Sequence, residues 1–231
     1  MKSEPSDWPK AVVFDLDGTL IDSAPDIAHA LNRATEKRGI EPFPLDQVKE
    51  MIGGGVPQLV RRALFARGLA TDGLMPLVED FIGFYRETLT TNTRIYEGGR
   101  ELLEQLRSEG RRLGICTNKN HELTVEILEQ LDLAKYFSSV AGEREGRPRK
   151  PDPSPLLEVV AELGASPQDA LMAGDSEADV ACARAAKLPV LVVNFGYSRV
   201  APDALGADAV ISRLGELPLC FRILKPQGQI K

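Results

Sequence analysis

The chain has 231 residues, 43% of them hydrophobic and 27% charged, with a formal net charge of −6. That length holds one large domain or a medium domain with a smaller insert. The acidic balance argues against a nucleic-acid binder that works through a basic face. No apolar stretch is long enough to cross a bilayer. Met1 to Pro9 is polar and lacks the apolar core of a secretion signal, so it reads as a frayed lead-in to a cytoplasmic protein. The three cysteines, Cys116, Cys182 and Cys220, are scattered and odd in number. They fit a reducing compartment and make no CxxC clamp. Cys116 and Cys182 lie in apolar runs and are expected in the core.

The first predicted element is the strand Ala11-Val12-Val13-Phe14, an apolar, β-branched run that stops at Asp15-Leu16-Asp17-Gly18-Thr19-Leu20. Side chains two apart on an extended segment point the same way. Asp15 and Asp17 are therefore expected to face one spot at a strand's carboxyl end, where open α/β sheets place ligands. Two carboxylates held together repel unless a cation or proton is shared, so the pair points to a metal site or acid/base chemistry.

From about Asp22 to Arg94 no convincing strand appears. Helical patterns such as Ile27-Ala28-Ala30-Leu31-Ala34 and Leu59-Val60-Ala63-Leu64 are broken by Pro42, Pro44, Gly53 to Gly55 and Gly68 to Gly73 into three or four helices. The segment reads as a helical insert over the Asp15 site, a lid able to exclude water and choose the substrate. Gly53 to Gly55 do not follow a strand and are not spaced GxGxxG, so a helix entrance fits them better than a dinucleotide loop. Pro57 suits the first turn there, and the amides at Gly54 and Gly55 are candidates to hold a substrate carboxylate. Arg61 and Arg62 are alternative partners for that carboxylate.

Helices are then predicted at Gly99 to Glu109, Glu122 to Leu131, Pro155 to Leu163 and Glu177 to Ala186. Between them lie apolar strands at Arg112 to Cys116, Ala170 to Ala173, Val190 to Val193 and Ala209 to Ile211. The alternation implies right-handed crossovers and a mainly parallel sheet. The expected fold is α/β: a three-layer, Rossmann-like parallel-sheet core formed by 1–21 and 95–231, with an inserted helical cap domain at 22–94.

Three further places match the first. The second strand runs into Thr117-Asn118-Lys119, which puts a hydroxyl and an amide at a strand end. Lys150 stands in a loop stiffened by Pro151 and Pro153, with Lys119 as its competitor. The third strand ends in Gly174-Asp175-Ser176-Glu177-Ala178-Asp179, with Asp179 about one helical turn after Asp175. Neighbouring parallel strands lie about 4.8 Å apart, so these residues can converge on one small ligand. Asp15, Asp17 and Asp175 would make an oxygen-rich Mg²⁺ site with room for a phosphate oxygen, and Thr117 and Lys150 would take other phosphate oxygens.

Four motifs in this order carry a resemblance: Asp15 to Leu20 (DxDGTL), Thr117, Lys150 before a proline, and Gly174 to Asp179 (GDSxxD). The chain resembles the haloacid dehalogenase-like superfamily of aspartate-dependent phosphatases over about nine tenths of its length. Within it, Asp22-Ser23-Ala24-Pro25-Asp26, Ile52 to Leu64 and Phe195-Gly196-Tyr197 look most like the phosphatases that act on 2-phosphoglycolate. One departure is Ala186-Lys187-Leu188, where relatives usually carry Ala-Gly. The resemblance implies Asp15 as the nucleophile and Asp17 as the general acid and base, with its backbone carbonyl on the metal. It implies Asp175 as a Mg²⁺ ligand and Asp179 as the partner that orients Lys150 or a metal-bound water. The candidate substrate-binding set is Thr117, Asn118, Lys150, Gly54, Gly55 and Arg62. The partners implied are a small phosphate ester, with no nucleic acid or membrane, in a monomer or homodimer.

Competing readings keep the same core. A sugar phosphomutase typically carries a lid-hinge histidine where this chain has Ala24-Pro25-Asp26. A dehalogenase would lack the second carboxylate of the DxD pair. A phosphatase of sugar phosphates or pyrophosphate remains open, as does a binding module that senses a phosphorylated ligand without turning it over. His29 and His121 have no ligand pattern and read as surface helix residues.

Overall fold

The structure is a computed structural model and describes residues 8–226. Its centre is β1 (Ala11–Phe14), all four residues of which are fully buried. A strand buried on both faces must be apolar at successive positions. Val12 and Phe14 pack into one layer of the core, Ala11 and Val13 into the other. Around β1 stand β4 (Arg112–Asn120), β5 (Ser139–Glu143), β6 (Ala170–Gly174), β7 (Val190–Val193) and β8 (Ala209–Ile211). All pair in parallel in the order β5-β4-β1-β6-β7-β8. The chain leaves β1 towards β4 and β5, then returns to build β6, β7 and β8 on the other side. The reversal of direction therefore falls at β1, the position where doubly wound sheets open a ligand crevice.

One face of the sheet is covered by α7 (Ser154–Glu162) and α8 (Glu177–Ala185), through Leu156, Val159, Val160, Val180 and Ala183. The other is covered by α5 (Gly99–Ser108), α6 (His121–Gln130) and α9 (Leu217–Leu224), through Leu103, Leu106, Ile127 and Phe221. The result is a three-layer, Rossmann-like α/β fold.

Between Ile21–Asp22 (β2) and Arg94–Ile95 (β3), which pair antiparallel, the chain forms four helices. These are α1 (Ala24–Glu36), α2 (Leu45–Met51), α3 (Val56–Ala66) and α4 (Leu74–Glu87). Asp26 fastens the exit of this segment to its entrance. It is fully buried, and its carboxylate accepts hydrogen bonds from the Asn92 and Thr93 amides at 2.7–3.1 Å and from the Thr93 hydroxyl at 2.8 Å. A buried carboxylate tolerates its site only with donors of this number.

Several expectations need correction. Trp8 is not part of a frayed lead-in: it is buried, its indole packs perpendicular to the Phe221 ring with centroids 6.1 Å apart, and its N–H donates to the Gln168 carbonyl at 2.8 Å. The lead-in at 1–7 lies outside the described residues. The second strand does not stop at Cys116 but runs to Asn120, with an irregular register between those two residues. The edge strand β5 and helix α9 were not anticipated. β5 offers Val140 as its one large apolar side chain, and α9 has apolar residues on both faces, with Leu219 and Ile223 exposed. β5 is too short to show a period, and in α9 the exposed apolar residues mask the helical spacing of the buried Leu217, Phe221 and Leu224.

Lys187, which follows α8, has φ 59°, a left-handed conformation that costs a side-chain-bearing residue about 1–2 kcal/mol. Lys187→Gly is expected to raise stability by about 0.5–1 kcal/mol, because glycine's larger unfolded-state entropy takes back part of that gain. Chemical denaturation checks this: a variant no more stable than the parent would mean that the left-handed Lys187 stores no strain.

Candidate active site

The chain leaves β1 after Phe14, and Asp15 is still tied to the sheet by its amide, which donates to the Ala173 carbonyl at 2.9 Å. Its Oδ1 accepts from the Leu16 amide at 2.8 Å and lies 3.0 Å from Lys150 Nζ. The Thr117 hydroxyl is a further partner of the Asp15 carboxylate. Lys150 is 3% exposed and reaches Asp179 Oδ1 at 2.5 Å on its other side. It is not a solvated lysine of the basic run. Asp179 Oδ2 accepts from the Ser176 amide at 3.0 Å and the Ser176 hydroxyl at 2.6 Å, which caps the start of α8. Asp179 is fully buried, so the helix-surface reading does not apply to it.

Asp175 follows β6. Its Oδ2 accepts from the Tyr197 amide at 2.6 Å and its Oδ1 from the Thr19 hydroxyl at 3.3 Å. The space for this carboxylate depends on two glycines. A Cβ at Gly18 (φ +84°) would stand 2.5 Å from Asp175 Oδ2, and one at Gly196 would stand 2.3 Å from Asp175 Cβ.

Asp15, Asp175 and Asp179 thus bring carboxylate oxygens within 4.8 Å of one another, opposed by one ammonium, that of Lys150. Burial pushes Asp15 up to about 6, against the pull of Lys150 and with the push of Asp179. Burial, then the Asp179 and Asp15 charges, pushes Asp175 well above the usual carboxylate range. Burial alone would lower Lys150, but the Asp15 and Asp179 charges outweigh it and hold the ammonium protonated. The arrangement has more negative charge than it can neutralise, and its donors are hard oxygens. Both properties fit Mg²⁺.

Asp17 lies apart from this group. It sits in the bend after β1, not on the strand, so the two-residue alternation expected for Asp15 and Asp17 does not apply. Its carboxylate accepts from the Ser23 hydroxyl at 2.6 Å and from Lys119 Nζ at 3.1 and 3.0 Å. Lys119, weighed in the sequence only as an alternative to Lys150, has its own carboxylate. Asn118 donates through Nδ2 to the Lys150 carbonyl at 2.9 Å, while its buried Oδ1 has no partner.

Above these groups opens a cavity of about 540 Å³, within the usual range for small-molecule sites. Asp15, Asp17, Thr117, Lys150 and Asp175 line its floor; Gly53 to Gly55 and Arg62 line it from the helical segment. Gly55 caps α3 with φ 81° and approaches the sheet side closely, since a Cβ there would stand 2.3 Å from Glu143 Oε2. Arg62 donates through Nη1 to the carbonyls of Met51, Ile52 and Gly53 at 2.9–3.1 Å, which holds the turn that presents the α3 amides. Arg61 is exposed and bonds Gln58.

Sequence reasoning missed Thr19, Ser23, Tyr85 and Arg199 as neighbours of this cavity or its carboxylates. Tyr85 has the spacing of a core residue on α4. Arg199 lines the cavity and, after burial, is the main influence lowering Arg62. His29 is exposed as expected, but His121 is half-buried at the start of α6 beside Arg144. Cys116 and Cys182 are both buried.

Residues 12–193 match the family model described as haloacid dehalogenase-like hydrolase. The chain is 41% identical over 213 residues to a phosphoglycolate phosphatase of Chromobacterium violaceum, covering 90% of this chain and 94% of that one. It is 40% identical over 226 residues to a phosphoglycolate phosphatase of Rhodospirillum rubrum, covering 95% and 94%. Among solved structures it resembles a predicted phosphoglycolate phosphatase from Haemophilus somnus 129pt, with TM-score 0.85, 28% identity, and 90% and 96% of the two chains covered.

Proposed function

The chain belongs to the haloacid dehalogenase-like hydrolase family, and from that premise we propose that it is a Mg²⁺-dependent phosphatase converting 2-phosphoglycolate to glycolate and phosphate. The observation that carries this reading is the group of Asp15, Asp175 and Lys150 at the floor of a small-molecule cavity, with the buried Asp179 behind Lys150, at the sheet's reversal point. The similarity to relatives named phosphoglycolate phosphatase supports the substrate.

In this reading Asp15 attacks phosphorus. An Asp15 oxygen–phosphorus bond forms as the phosphorus–ester oxygen bond breaks. A carboxylate suits the role because, once its charge is balanced, it needs no separate base. Asp17 gives a proton to the departing alkoxide, then takes one from the water that cleaves the aspartyl-phosphate, a contribution of roughly 10²–10⁴-fold. Lys150 and the Thr117 hydroxyl hold the non-reacting phosphate oxygens, and Asp179 fixes Lys150. Asp15, Asp175 and the Asp17 backbone carbonyl would hold Mg²⁺, which supplies charge neutralisation between an anionic nucleophile and an anionic ester. Residues 22–94 act as a cap that closes over the ester and excludes water. The amides of Gly54 and Gly55, which lead into α3, with Arg62 behind them, receive the substrate's carboxylate at the helix's positive end.

Phosphate release from 2-phosphoglycolate, sugar phosphates, pyrophosphate and p-nitrophenyl phosphate, with and without chelator, tests the reading. A strong preference for 2-phosphoglycolate that vanishes with chelator is expected. Mg²⁺-dependent release spread over the other esters would overturn the substrate and keep the chemistry. No release from any of them would overturn both.

Metal binding has a readout independent of turnover. A ligand that binds only the folded state at 100 times its Kd adds about 2.7 kcal/mol, or roughly 5–10 °C in Tm for a chain of this size. Adding Mg²⁺ to chelator-treated protein at neutral pH should raise Tm by that order. Asp175→Asn should remove most of the rise. An equal rise in the variant would exclude Asp175 as a ligand.

A further inference from the structure

Lys119 stands in the irregular stretch of β4 and is almost completely buried, its side chain 5% exposed. An ammonium in that position must satisfy its donors internally. Two of its contacts go to Asp17, at 3.1 and 3.0 Å, and a third to the Tyr85 hydroxyl at 2.8 Å, with the ammonium 4.7 Å from the Tyr85 ring centre. Tyr85 is itself buried on α4 and stacks on Phe81 at 5.5 Å. The remaining partner of the Asp17 carboxylate, Ser23, immediately precedes α1. Asp17 is therefore gripped by one side chain at the entrance of the helical segment and by a lysine that is itself held by α4. Lys150, by contrast, bridges Asp15 and Asp179, neither of which lies in the helical segment.

We propose that Lys119 is a positioning residue for Asp17, and that Tyr85 makes its hold depend on how α4 packs against the sheet. Lys119 touches neither the phosphate nor the leaving group in this role. It fixes the direction in which Asp17 presents its carboxyl group, and displacement of such a group by about 1 Å can cost on the order of 10²-fold in rate. This inference rests on the assignment of Asp17 as the acid for the leaving group.

The leaving group separates positioning of an acid from general damage. Cleavage of 2-phosphoglycolate expels an alkoxide that needs a proton. Cleavage of p-nitrophenyl phosphate expels a phenolate that does not. The value of kcat/KM reports only steps through the first phosphoryl transfer, so it isolates this half-reaction. Lys119→Met is expected to lower kcat/KM for 2-phosphoglycolate by about 10²-fold and to leave p-nitrophenyl phosphate within a few-fold. Tyr85→Phe removes the hydroxyl and keeps the packed ring, so it should shift the ratio the same way by a smaller factor. If Lys119→Met does not fold, Tyr85→Phe carries the test alone.

Asp17→Asn is the reference. If it reduces both esters equally, the assignment of Asp17 as the acid fails. If it discriminates between the esters and Lys119→Met and Tyr85→Phe do not, the positioning role is overturned and the assignment of Asp17 stands.

Discussion

Replacing Asp15 with Asn is expected to abolish turnover, by about 10⁴-fold or more, and at the same time to raise the thermal stability of the metal-free protein. The activity loss follows from the loss of the nucleophile. The amide is close in shape to the carboxylate, and its oxygen can still accept from the Leu16 amide. The stability gain follows from charge. Asp15 is raised from 3.8 to about 6 in the folded protein by burial and by Asp179, against Lys150. A carboxyl group with a raised folded value binds its proton more tightly in the folded state, so ionising it costs stability. That cost is absent below the unfolded value near 3.8 and fully present above about 6. The Tm advantage of Asp15→Asn over the parent, both in chelator, should therefore grow as pH rises from about 4 to 7. Thermal melts across that range check the stability claim, and phosphate release checks the chemistry. Residual turnover near the parent level would remove Asp15 from the nucleophile role.

Lys150→Met is expected to act in the opposite direction on stability. Lys150 is the ammonium between Asp15 and Asp179, and Met leaves both carboxylates buried without it. Breaking a buried ion pair from one side costs about 3–5 kcal/mol, on the order of 10 °C in Tm. Turnover should fall as well, by about 10²–10³-fold, because a positive charge fixed on the transferring phosphoryl group is lost. Paired melts of the two variants make the test sharp: one should melt above the parent in chelator and the other well below it. A Lys150→Met protein as stable as the parent would mean that solvent or another cation neutralises the cluster.

The central strand and the motifs after β1, β4 and β6 were legible in the sequence because each joins an apolar run to polar residues that a turn must expose. The four helices between β2 and β3 were legible from their 3.6-residue spacing and their glycine and proline breaks. What the sequence hid was partnership across the fold. In the chain Lys119 read only as a competitor to Lys150, yet each serves a different aspartate. Tyr85 has the spacing of an ordinary core aromatic, and only its tertiary neighbour Lys119 distinguishes it. Asp17 looked like a second member of the Asp15 face, but the backbone bends before it, so strand alternation no longer decides where its side chain points. Strand β5 was hidden for a simpler reason. It lies at the sheet edge and is mostly half-buried, so it needs no long apolar run to be stable.

A single experiment bears most directly on the account. Enzyme mixed with 2-phosphoglycolate and Mg²⁺ is quenched in acid within the first turnover, digested and weighed by mass spectrometry. The account predicts an acid-stable, hydroxylamine-labile phosphate on the peptide that carries Asp15, and none on that peptide in Asp15→Asn. Phosphate release at the normal rate with no phosphate on that peptide, or with phosphate on another residue, would contradict it.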